Sequence, residues 1–357
     1  MNEPLKVLYL LHDARRSGVP AVAVNFIRIA ATFGVAPTVL FAYDGIYSQE
    51  LRSSGVSVMT LGARTPLLWR AKRFLLNGFL LTRGRRFDVI HVHSRKLAWS
   101  VLVAHWLGLR VVFHLHELPR RIGWLLRRAM SAADEVVFCS ATCAAHFARV
   151  PVRRRRTIVN AMQFTDQPPI RHEGVGRRVV MVASINRNKG QDLLLKAFAR
   201  LRNRDAELWL YGTTGLSAHK YVHDLKRFAE EQGLSGRVFF PGPTADVFKV
   251  FAGAAVVVHT SWTESFGMVL VEAMSCGVPV IAHDLEGMRE VVADGVSGYL
   301  IEPGDLDALA ERLDELLENP DLRNRLGAAG YALVRERFDM TTRAAEYLDL
   351  YREVAGS

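Results

Sequence analysis

The sequence is poor in cysteine and has no long uninterrupted apolar run. Its 357 residues include three cysteines, Cys139, Cys143 and Cys276, at spacings that match neither a zinc motif nor a disulfide framework. We therefore expect buried thiols in a reducing compartment. No apolar run approaches the roughly 18 residues needed to span a bilayer. Met1 to Lys6 lack the features of a secretory signal. These absences predict a cytoplasmic protein with at most peripheral membrane contact.

Negative charge is scarce in the first half of the chain. Residues 1–165 carry 24 Lys and Arg against 8 Asp and Glu, a net charge of +16, whereas residues 166–357 have a net charge of −6. Half of all residues are hydrophobic and there is no low-complexity tract, so the whole chain is expected to be globular. The basic half is expected to face an anionic or lipidic partner.

Apolar, β-branched runs alternate with helical patterns along the chain. This alternation predicts an α/β protein built from doubly wound, Rossmann-like domains, and the length suits two of them. The predicted strands are 6–11, 38–42, 56–61, 88–92, 110–115, 135–139, 178–183, 206–211 and 254–259.

The segment from His259 to Val280 has the strongest features of a site. Glu264 and Glu272 flank a Ser-Phe-Gly turn that follows a buried strand and opens a short helix. Open α/β sheets bind ligands at this end of their strands, and the free N–H groups around Gly267 favour a phosphate. From the residues alone, Glu264 could equally be an N-cap-like acid and Glu272 a solvated helix residue.

The Glu264-x7-Glu272 spacing with Phe266-Gly267, followed by Glu272-Ala-Met-Ser-Cys-Gly-Val-Pro-Val280, resembles the signature of glycosyltransferase family 4. That is a large family of retaining enzymes with a GT-B fold, in which two Rossmann-like domains face each other across a cleft. The resemblance implies that Glu264 meets the donor sugar and Glu272 holds the ribose of the nucleotide. It spans nearly the whole second half and is weaker in the first. Residues 157–161 resemble a family strand that ends in Asn-Gly, and 237–242, 280–282 and 298–304 continue the family pattern.

The resemblance also assigns residues around the donor diphosphate. Lys189-Gly190 matches the family's Lys-Gly, but Ala183-Ser184 stands where Gly-Arg is expected, so Arg187 could take the place of that arginine. Gly18 follows the first strand, where the family carries a glycine-rich loop. The expected donor-binding residues are Gly18, Arg187, Lys189, Glu264, Ser265, Phe266, Gly267, Met268, Val269 and Glu272.

Histidines end two neighbouring predicted strands. His93 resembles the family histidine that hydrogen-bonds the donor hexose, so we assign it with Glu264 and Lys189 to catalysis. His114 and His116 lie on one face of the next strand, without a clear third metal ligand in the sequence, so no metal and no cofactor are expected. The expected acceptor-side residues are His116, Glu117, Arg120 and Arg121.

Three basic tracts interrupt the first domain, at 65–86, 119–130 and 153–156. The first two mix arginine with Trp and Leu, which is typical of helices that lie on an anionic membrane surface. A plain solvated face and a nucleic-acid surface are the alternatives. Since no recognised nucleic-acid motif accompanies the charge, nucleic acid is the least favoured of the three.

The expected organisation is an acceptor domain at 1–165, a linker at 166–176, a nucleotide-sugar domain at 177–339 and a helix at 340–357 that packs back on the first domain. The expected function is retaining transfer of a hexose from a UDP- or GDP-linked donor to a lipid-linked or oligosaccharide acceptor, in surface polysaccharide or lipopolysaccharide assembly. The protein would work on the inner face of the cell membrane. A nucleotide-sugar epimerase and a noncatalytic membrane or nucleic-acid adaptor remain as alternatives.

Overall fold

The computed structural model describes residues 3–15, 18–62, 69–164, 176–215 and 218–356, without the side chains of 69–71. The expected linker therefore lies outside the described residues apart from Gly176, as do Ser17 and positions 65–68 of the first basic tract. The chain forms two compact units. Residues 1–163 and 338–357 form unit 1, and residues 164–337 form unit 2.

Unit 1 is built on a seven-stranded parallel sheet in the order β3-β2-β1-β4-β5-β6-β7. Its strands are β1 Leu5–Leu11, β2 Val35–Phe41, β3 Ser57–Thr60, β4 Val89–His93, β5 Val111–Leu115, β6 Glu135–Phe138 and β7 Arg155–Thr157. Its helices are α1 Gly18–Ile29, α2 Ile46–Ser53, α3 Trp69–Arg83, α4 Ala98–Trp106, α5 Trp124–Ala132, α6 Ala141–His146 and α14 Met340–Ala355.

Helices cover both faces of the unit 1 sheet. Alternate residues of β1 enter two separate hydrophobic clusters: Leu8 and Leu10 pack on one face, and Val7 and Tyr9 on the other. Strands buried on both faces read as continuous apolar runs, which is why the sequence predicts them. The second cluster includes Tyr351 of α14, so this late helix completes the core of the first unit.

The last strand of unit 1 lies earlier than predicted. The sequence placed a strand at 157–161, whereas the structure pairs Arg155–Thr157 with β6 and leaves 158–161 outside the strands. Arg155 and Thr157 are exposed because β7 is at the edge of the sheet.

Unit 2 is built on a six-stranded parallel sheet in the order β10-β9-β8-β11-β12-β13. Its strands are β8 Arg178–Val182, β9 Glu207–Tyr211, β10 Val238–Gly242, β11 Val256–His259, β12 Val280–His283 and β13 Gly298–Ile301. Its helices are α7 Gln191–Ala199, α8 His219–Glu231, α9 Val247–Ala252, α10 Met268–Ser275, α11 Glu286–Arg289, α12 Leu306–Glu318 and α13 Pro320–Arg337.

Both sheets have the Rossmann strand order, in which the connections reverse direction between the first and fourth strands. The doubly wound α/β fold is therefore as predicted. Among the helices within the described ranges, none is both long and apolar enough to cross a bilayer.

Candidate active site

In each unit the chemically distinctive side chains lie where the strand order reverses. The loops after β8 and β11 meet at this position in unit 2, and those after β1 and β4 meet at it in unit 1. Parallel strands leave a crevice there because the two connections run to opposite sides of the sheet.

In unit 2, an ion pair joins the loops that follow β8 and β11. Lys189 Nζ lies 2.7 Å from Glu264 Oε2. The two side chains are only 21% and 19% exposed, so water screens the pair weakly. Burial opposes ionisation of Glu264, but the Lys189 ammonium and a hydrogen bond from His259 outweigh it and hold the pKa of this carboxyl well below its usual range.

His259, the last residue of β11, supports the same carboxylate. Its Nε2 lies 3.2 Å from Glu264 Oε2 and 2.9 Å from Ser261 Oγ. Burial lowers the pKa of this histidine, so its ring is neutral and Nε2–H donates. His259 is not among the site residues predicted from the sequence. Its position at the end of a strand, five residues before Glu264, is the sequence feature that could have identified it.

The loops that carry this pair approach each other at backbone distance. Gly190 has a φ of +68°, and a Cβ built on it would lie 2.2 Å from the carbonyl oxygen of Thr260. Thr260 Oγ1 in turn donates to the carbonyl oxygen of Gly190 at 2.9 Å. Only glycine fits here, and the close approach fixes Lys189 opposite Glu264.

The helix α10 begins immediately beyond Glu264. Gly267 is its N-cap, with a φ of +91°, and the first N–H groups of the helix, from Met268 onward, have no acceptor within it. Ser265 N donates to Glu264 Oε1 at 3.2 Å, and Phe266 is buried. This arrangement presents helix-start donors next to a fixed carboxylate, which suits a bound anion.

Glu272 lies one turn into α10 and is half-buried. Burial raises its pKa to about 7. It therefore differs sharply from Glu264, whose charge is stabilised by Lys189. Two carboxylates with opposite pKa shifts on one strand, loop and helix unit are typical of a functional site. Val269 is also half-exposed at the start of this helix.

Arg187 pairs with a carboxylate other than Glu264. Its Nη2 lies 3.8 Å from Asp224 Oδ2 of α8, and its guanidinium stacks over the Tyr221 ring at 5.1 Å. The side chain is 73% exposed. Ser184, at the position of the family arginine, holds the turn through hydrogen bonds from Asn186 and Gln191.

In unit 1, the loop after β1 carries His12 and Asp13, which the sequence analysis did not select. Burial, followed by the charge of Lys96, lowers the pKa of His12 to about 4. Asp13 Oδ2 pairs with Arg15 Nη2 at 2.6 Å. Gly18 begins α1, and a Cβ there would meet no heavy atom within 4 Å. Packing therefore does not require a glycine at this position.

His93 ends β4 with its side chain buried, and its Nδ1 lies 3.2 Å from His116 Nε2. The next residue, Ser94, has a φ of +109°, and among the described residues it is the single non-glycine with a positive φ. Strained backbone of this kind clusters at functional sites. Ser94 also accepts a hydrogen bond from Lys96 N, which fixes the turn after His93.

His91, two residues before His93, belongs to the same buried layer. Its Nδ1 lies 2.7 Å from Tyr351 Oη, which lies 2.9 Å from Tyr9 Oη. Because His93 pairs in register with His114 of β5, the rings of His91, His93 and His114 share one face of the sheet.

The structure groups histidines from two neighbouring strands, whereas the sequence considered His114 and His116 of a single strand. One ring nitrogen from each of His91, His93 and His114 lies within 4.8 Å of the others. The register between strands creates this group, and no spacing within one strand reveals it.

The remaining residues assigned to the acceptor side follow β5. Glu117 pairs with Arg95, which follows β4. Arg120 and Arg121 are exposed before α5. The structure thus brings His116 next to His93, while the two arginines remain at the surface.

Comparison with known proteins identifies the family. Residues 163–333 match the model of the family Glycosyl transferases group 1, and residues 16–161 match that of Glycosyltransferase Family 4. The chain is 32% identical over 203 residues to EpsD of Bacillus subtilis, a match covering 54% of this chain and about half, 52%, of EpsD.

A second relative is the D-inositol 3-phosphate glycosyltransferase of Thermobifida fusca, 26% identical over 362 residues, with 90% of this chain and 82% of that protein covered. Among solved structures, Anabaena HepE in complex with UDP and glucose superposes with a TM-score of 0.83 at 23% identity, covering 98% and 100% of the two chains. The chain therefore belongs to the family 4 glycosyltransferases and has the GT-B fold.

Proposed function

We propose that this protein transfers a hexose from a nucleoside diphosphate sugar to an acceptor hydroxyl with retention at the anomeric carbon. The observation that carries the proposal is the Lys189–Glu264 pair beside the start of α10, because it sets a cation, an ionised carboxylate and free backbone donors around one point. The UDP and glucose in the structure of HepE support a nucleotide-sugar donor.

In the proposed complex, the donor diphosphate lies against Lys189 and the N–H groups of Gly267 and Met268. Those groups stabilise the charge that builds up as the nucleoside diphosphate leaves. Glu272 accepts hydrogen bonds from the ribose hydroxyls in its ionised form. Arg187 adds a second cation if it leaves Asp224, since their 3.8 Å separation and high exposure make that contact weak.

Glu264 and His93 contact the transferred sugar in this proposal. The bond from the anomeric carbon to the diphosphate oxygen breaks, and the acceptor oxygen bonds to the same face of that carbon. The acceptor proton passes to the departing diphosphate, so no protein base is required. The charge on the leaving group is balanced by Lys189 and by helix-start donors, so no metal ion is needed for this step.

The acceptor is proposed to be a lipid-linked glycan of a surface polysaccharide or lipopolysaccharide, approached from the cytoplasmic face of the membrane through unit 1. Support comes from a basic, apolar surface on α3, α4 and α5, which are consecutive neighbours on the sheet. Its exposed apolar side chains are Phe74, Leu75, Leu81, Trp99, Trp106 and Trp124. Its exposed bases include Arg83, Arg85, Arg86, Arg120, Arg121, Arg127 and Arg128. We call this set of residues the α3–α5 surface.

Such a combination suits an anionic bilayer surface better than nucleic acid. Exposed tryptophan and leucine side chains are stabilised when they enter the headgroup region. Arg73 stacks over Trp99 at 5.2 Å, so base and aromatic side chain are already adjacent on the α3–α5 surface.

Thermal unfolding with a panel of UDP, GDP, their hexose conjugates and adenosine tests the donor. A ligand that binds only the native protein raises Tm. We expect one nucleotide family to raise it and Glu272→Ala to abolish the rise. If no nucleotide at millimolar concentration shifts Tm, the adaptor alternative replaces the transferase.

A second measurement separates a transferase from an epimerase. The donor selected by the panel is incubated with and without acceptors, including extracted lipid-linked glycans and D-inositol 3-phosphate, and the sugar is followed by NMR. We expect an acceptor-dependent glycoside with the anomeric configuration of the donor, lost in Glu264→Gln. An epimerised donor without acceptor would instead establish the epimerase, and an inverted product would overturn retention.

A further inference from the structure

Four histidines form a buried layer in unit 1, between the sheet and the helix α14. His91 and His93 project from β4, and His114 and His116 come from β5 and its end. The ring centroids of His93 and His114 are 5.0 Å apart, and those of His91 and His114 are 5.5 Å apart. The proposed reaction uses His93, and the sequence assigns His116 to the acceptor side. The presence of His91 and His114 is not explained by sugar transfer.

Several ring nitrogens of this layer are buried without a hydrogen-bond partner. They are Nε2 of His91, Nε2 of His93 and both nitrogens of His114. A buried polar atom that lacks its partner costs about 1–3 kcal/mol, so such atoms are normally paired with protein, water or an ion. One nitrogen from each ring lies within 4.8 Å of one from each of the other two. The three rings, each with at least one unpartnered nitrogen, are therefore close enough to share one ion.

We propose that His91, His93 and His114 form a binding site for a late first-row divalent cation such as Zn²⁺. Neutral imidazoles are preferred ligands for Zn²⁺ and for its neighbours Co²⁺ and Ni²⁺, whereas Mg²⁺ and Ca²⁺ require oxygen ligands. Three protein nitrogens leave a fourth position for a water molecule. All three ligands belong to unit 1.

The surroundings hold two of the rings in the orientation that ligation requires. His91 Nδ1 faces Tyr351 Oη at 2.7 Å, and His93 Nδ1 faces His116 Nε2 at 3.2 Å. If each Nδ1 carries the proton and donates it to that partner, each Nε2 keeps a lone pair that a cation can use. Metal-binding histidines usually donate their second N–H in this way.

Zn–N bonds of about 2.0–2.1 Å set ligand nitrogens roughly 3.4 Å apart in a tetrahedral site, a separation compatible with ring nitrogens that lie within 4.8 Å of one another.

One consequence rests on the proposed function. Sugar contact and metal binding would both use Nε2 of His93, so the bound cation and the donor hexose exclude each other. One equivalent of Zn²⁺ should then lower sugar transfer at least tenfold. If the Zn²⁺-bound protein transferred sugar at an unchanged rate, this shared use of His93 would be overturned. The proposal of the metal site itself would still stand.

The site is tested on the untagged full chain after removal of metal with EDTA. Bound Zn²⁺ is measured by equilibrium dialysis and elemental analysis for the wild type, His91→Gln, His114→Gln and the control His105→Gln, an exposed histidine on α4. We expect the wild type and the control to bind one more equivalent than either site variant. Equal uptake by all four proteins, or uptake below about 0.2 equivalents by the wild type, overturns the proposal.

Folding of the variants is checked by near-UV circular dichroism in EDTA. If either variant is unfolded, the wild type decides the matter through Co²⁺, because a four-coordinate site with nitrogen ligands gives an intense visible spectrum that octahedral Co²⁺ in water does not. That spectrum, together with a Tm raised by Zn²⁺ and not by Mg²⁺, supports the site. Its absence overturns it.

Discussion

Lys189 and Glu264, separated by 75 residues in sequence, are joined by a 2.7 Å contact between ammonium and carboxylate. The pair links the loops after β8 and β11 and leaves about one-fifth of each side chain exposed. Such a pair is strongly coupled, because removing one partner leaves the other charge poorly solvated. It is therefore both a candidate catalytic group and a structural tie within unit 2.

The coupling gives a first prediction. Lys189→Met should lower the free energy of unfolding by about 1–3 kcal/mol, because it leaves Glu264 buried without its cation. The double variant Lys189→Met/Glu264→Gln should lose less than the sum of the single changes. Urea unfolding measures all three proteins. Additive losses would show that the two side chains do not interact in solution.

Lys196→Met is the matched control for this series. Lys196 Nζ lies 3.6 Å from Asp192 Oδ2, but its side chain is 45% exposed. Its removal should change the free energy of unfolding by less than about 0.5 kcal/mol.

Glu272 gives a prediction for pH dependence. Burial raises its pKa in the folded protein to about 7, above the ordinary value of 4.5. Between these two values the folded state holds a proton that the unfolded state has released, so this residue destabilises the protein progressively as pH rises from 4.5 to 7. Glu272→Gln removes the effect. The variant should be more stable than the wild type by about 1–3 kcal/mol at pH 8.

Urea unfolding at pH 4.5 and pH 8 measures this difference. The two proteins should have nearly equal stability at the lower pH. A constant difference across the range would show that Glu272 titrates normally.

The close approach of Gly190 to Thr260 predicts a large effect of a single methyl group. Gly190→Ala should destabilise the protein by at least about 2 kcal/mol, since the new Cβ would meet the Thr260 carbonyl oxygen at 2.2 Å and the φ is +68°. Gly233→Ala is the control. Its φ of +65° is nearly the same, but no atom lies within 4 Å.

Gly233→Ala should therefore lower the free energy of unfolding by only about 1 kcal/mol, because alanine is strained at this positive φ. Thermal or urea unfolding compares the two variants. Equal losses would mean that the loops after β8 and β11 separate easily.

The hydrogen bonds of Tyr351 give a prediction for how much the packing of α14 stabilises unit 1. Its hydroxyl is hydrogen-bonded to Tyr9 Oη and to His91 Nδ1, and all three side chains are buried. Tyr351→Phe should cost about 1–3 kcal/mol, because both partners lose a hydrogen bond. Tyr9→Phe breaks one bond and should cost less. An equal or larger loss from Tyr9→Phe, measured by urea unfolding, would contradict this network.

The α3–α5 surface predicts binding to anionic vesicles. Trp106 and Trp124 are 81% and 68% exposed, so Trp106→Ser/Trp124→Ser should leave the fold intact and reduce sedimentation with phosphatidylglycerol vesicles at least fivefold. Binding by the wild type should weaken with salt. Phe248→Ser, an exposed apolar change in unit 2, is the control. Wild-type levels of binding by the double variant would exclude this surface as the membrane contact.

Much of the fold is predictable because buried parallel strands are continuous apolar runs, as in β1 and β11. The strand β7 was misplaced because an edge strand needs no such run, and its arginines resemble a solvated surface. The family signature likewise locates Glu264, Glu272 and Lys189. It cannot show that Lys189 and Glu264 contact each other, since the turn geometry at Gly190 determines the contact.

The histidine layer could not be predicted for a different reason. His91, His93 and His114 belong to two strands, and their proximity depends on the pairing of His93 with His114. Register between strands is set by the whole sheet and its covering helices, so no local pattern contains it. Tyr351, which fixes the orientation of His91, lies 260 residues away in sequence.

The position of α14 has a consequence for synthesis of the chain on the ribosome. Unit 1 comprises residues 1–163 and 338–357, so its core lacks Tyr347 and Tyr351 until the whole of unit 2 has been translated. Domains usually fold in the order in which they emerge. In this protein unit 1 is the first to emerge and the last to be completed. Until α14 has been translated, this helix cannot cover the apolar side chains around Tyr9 and Phe26. This part of the core of unit 1 therefore stays incomplete until residues 338–357 have been translated.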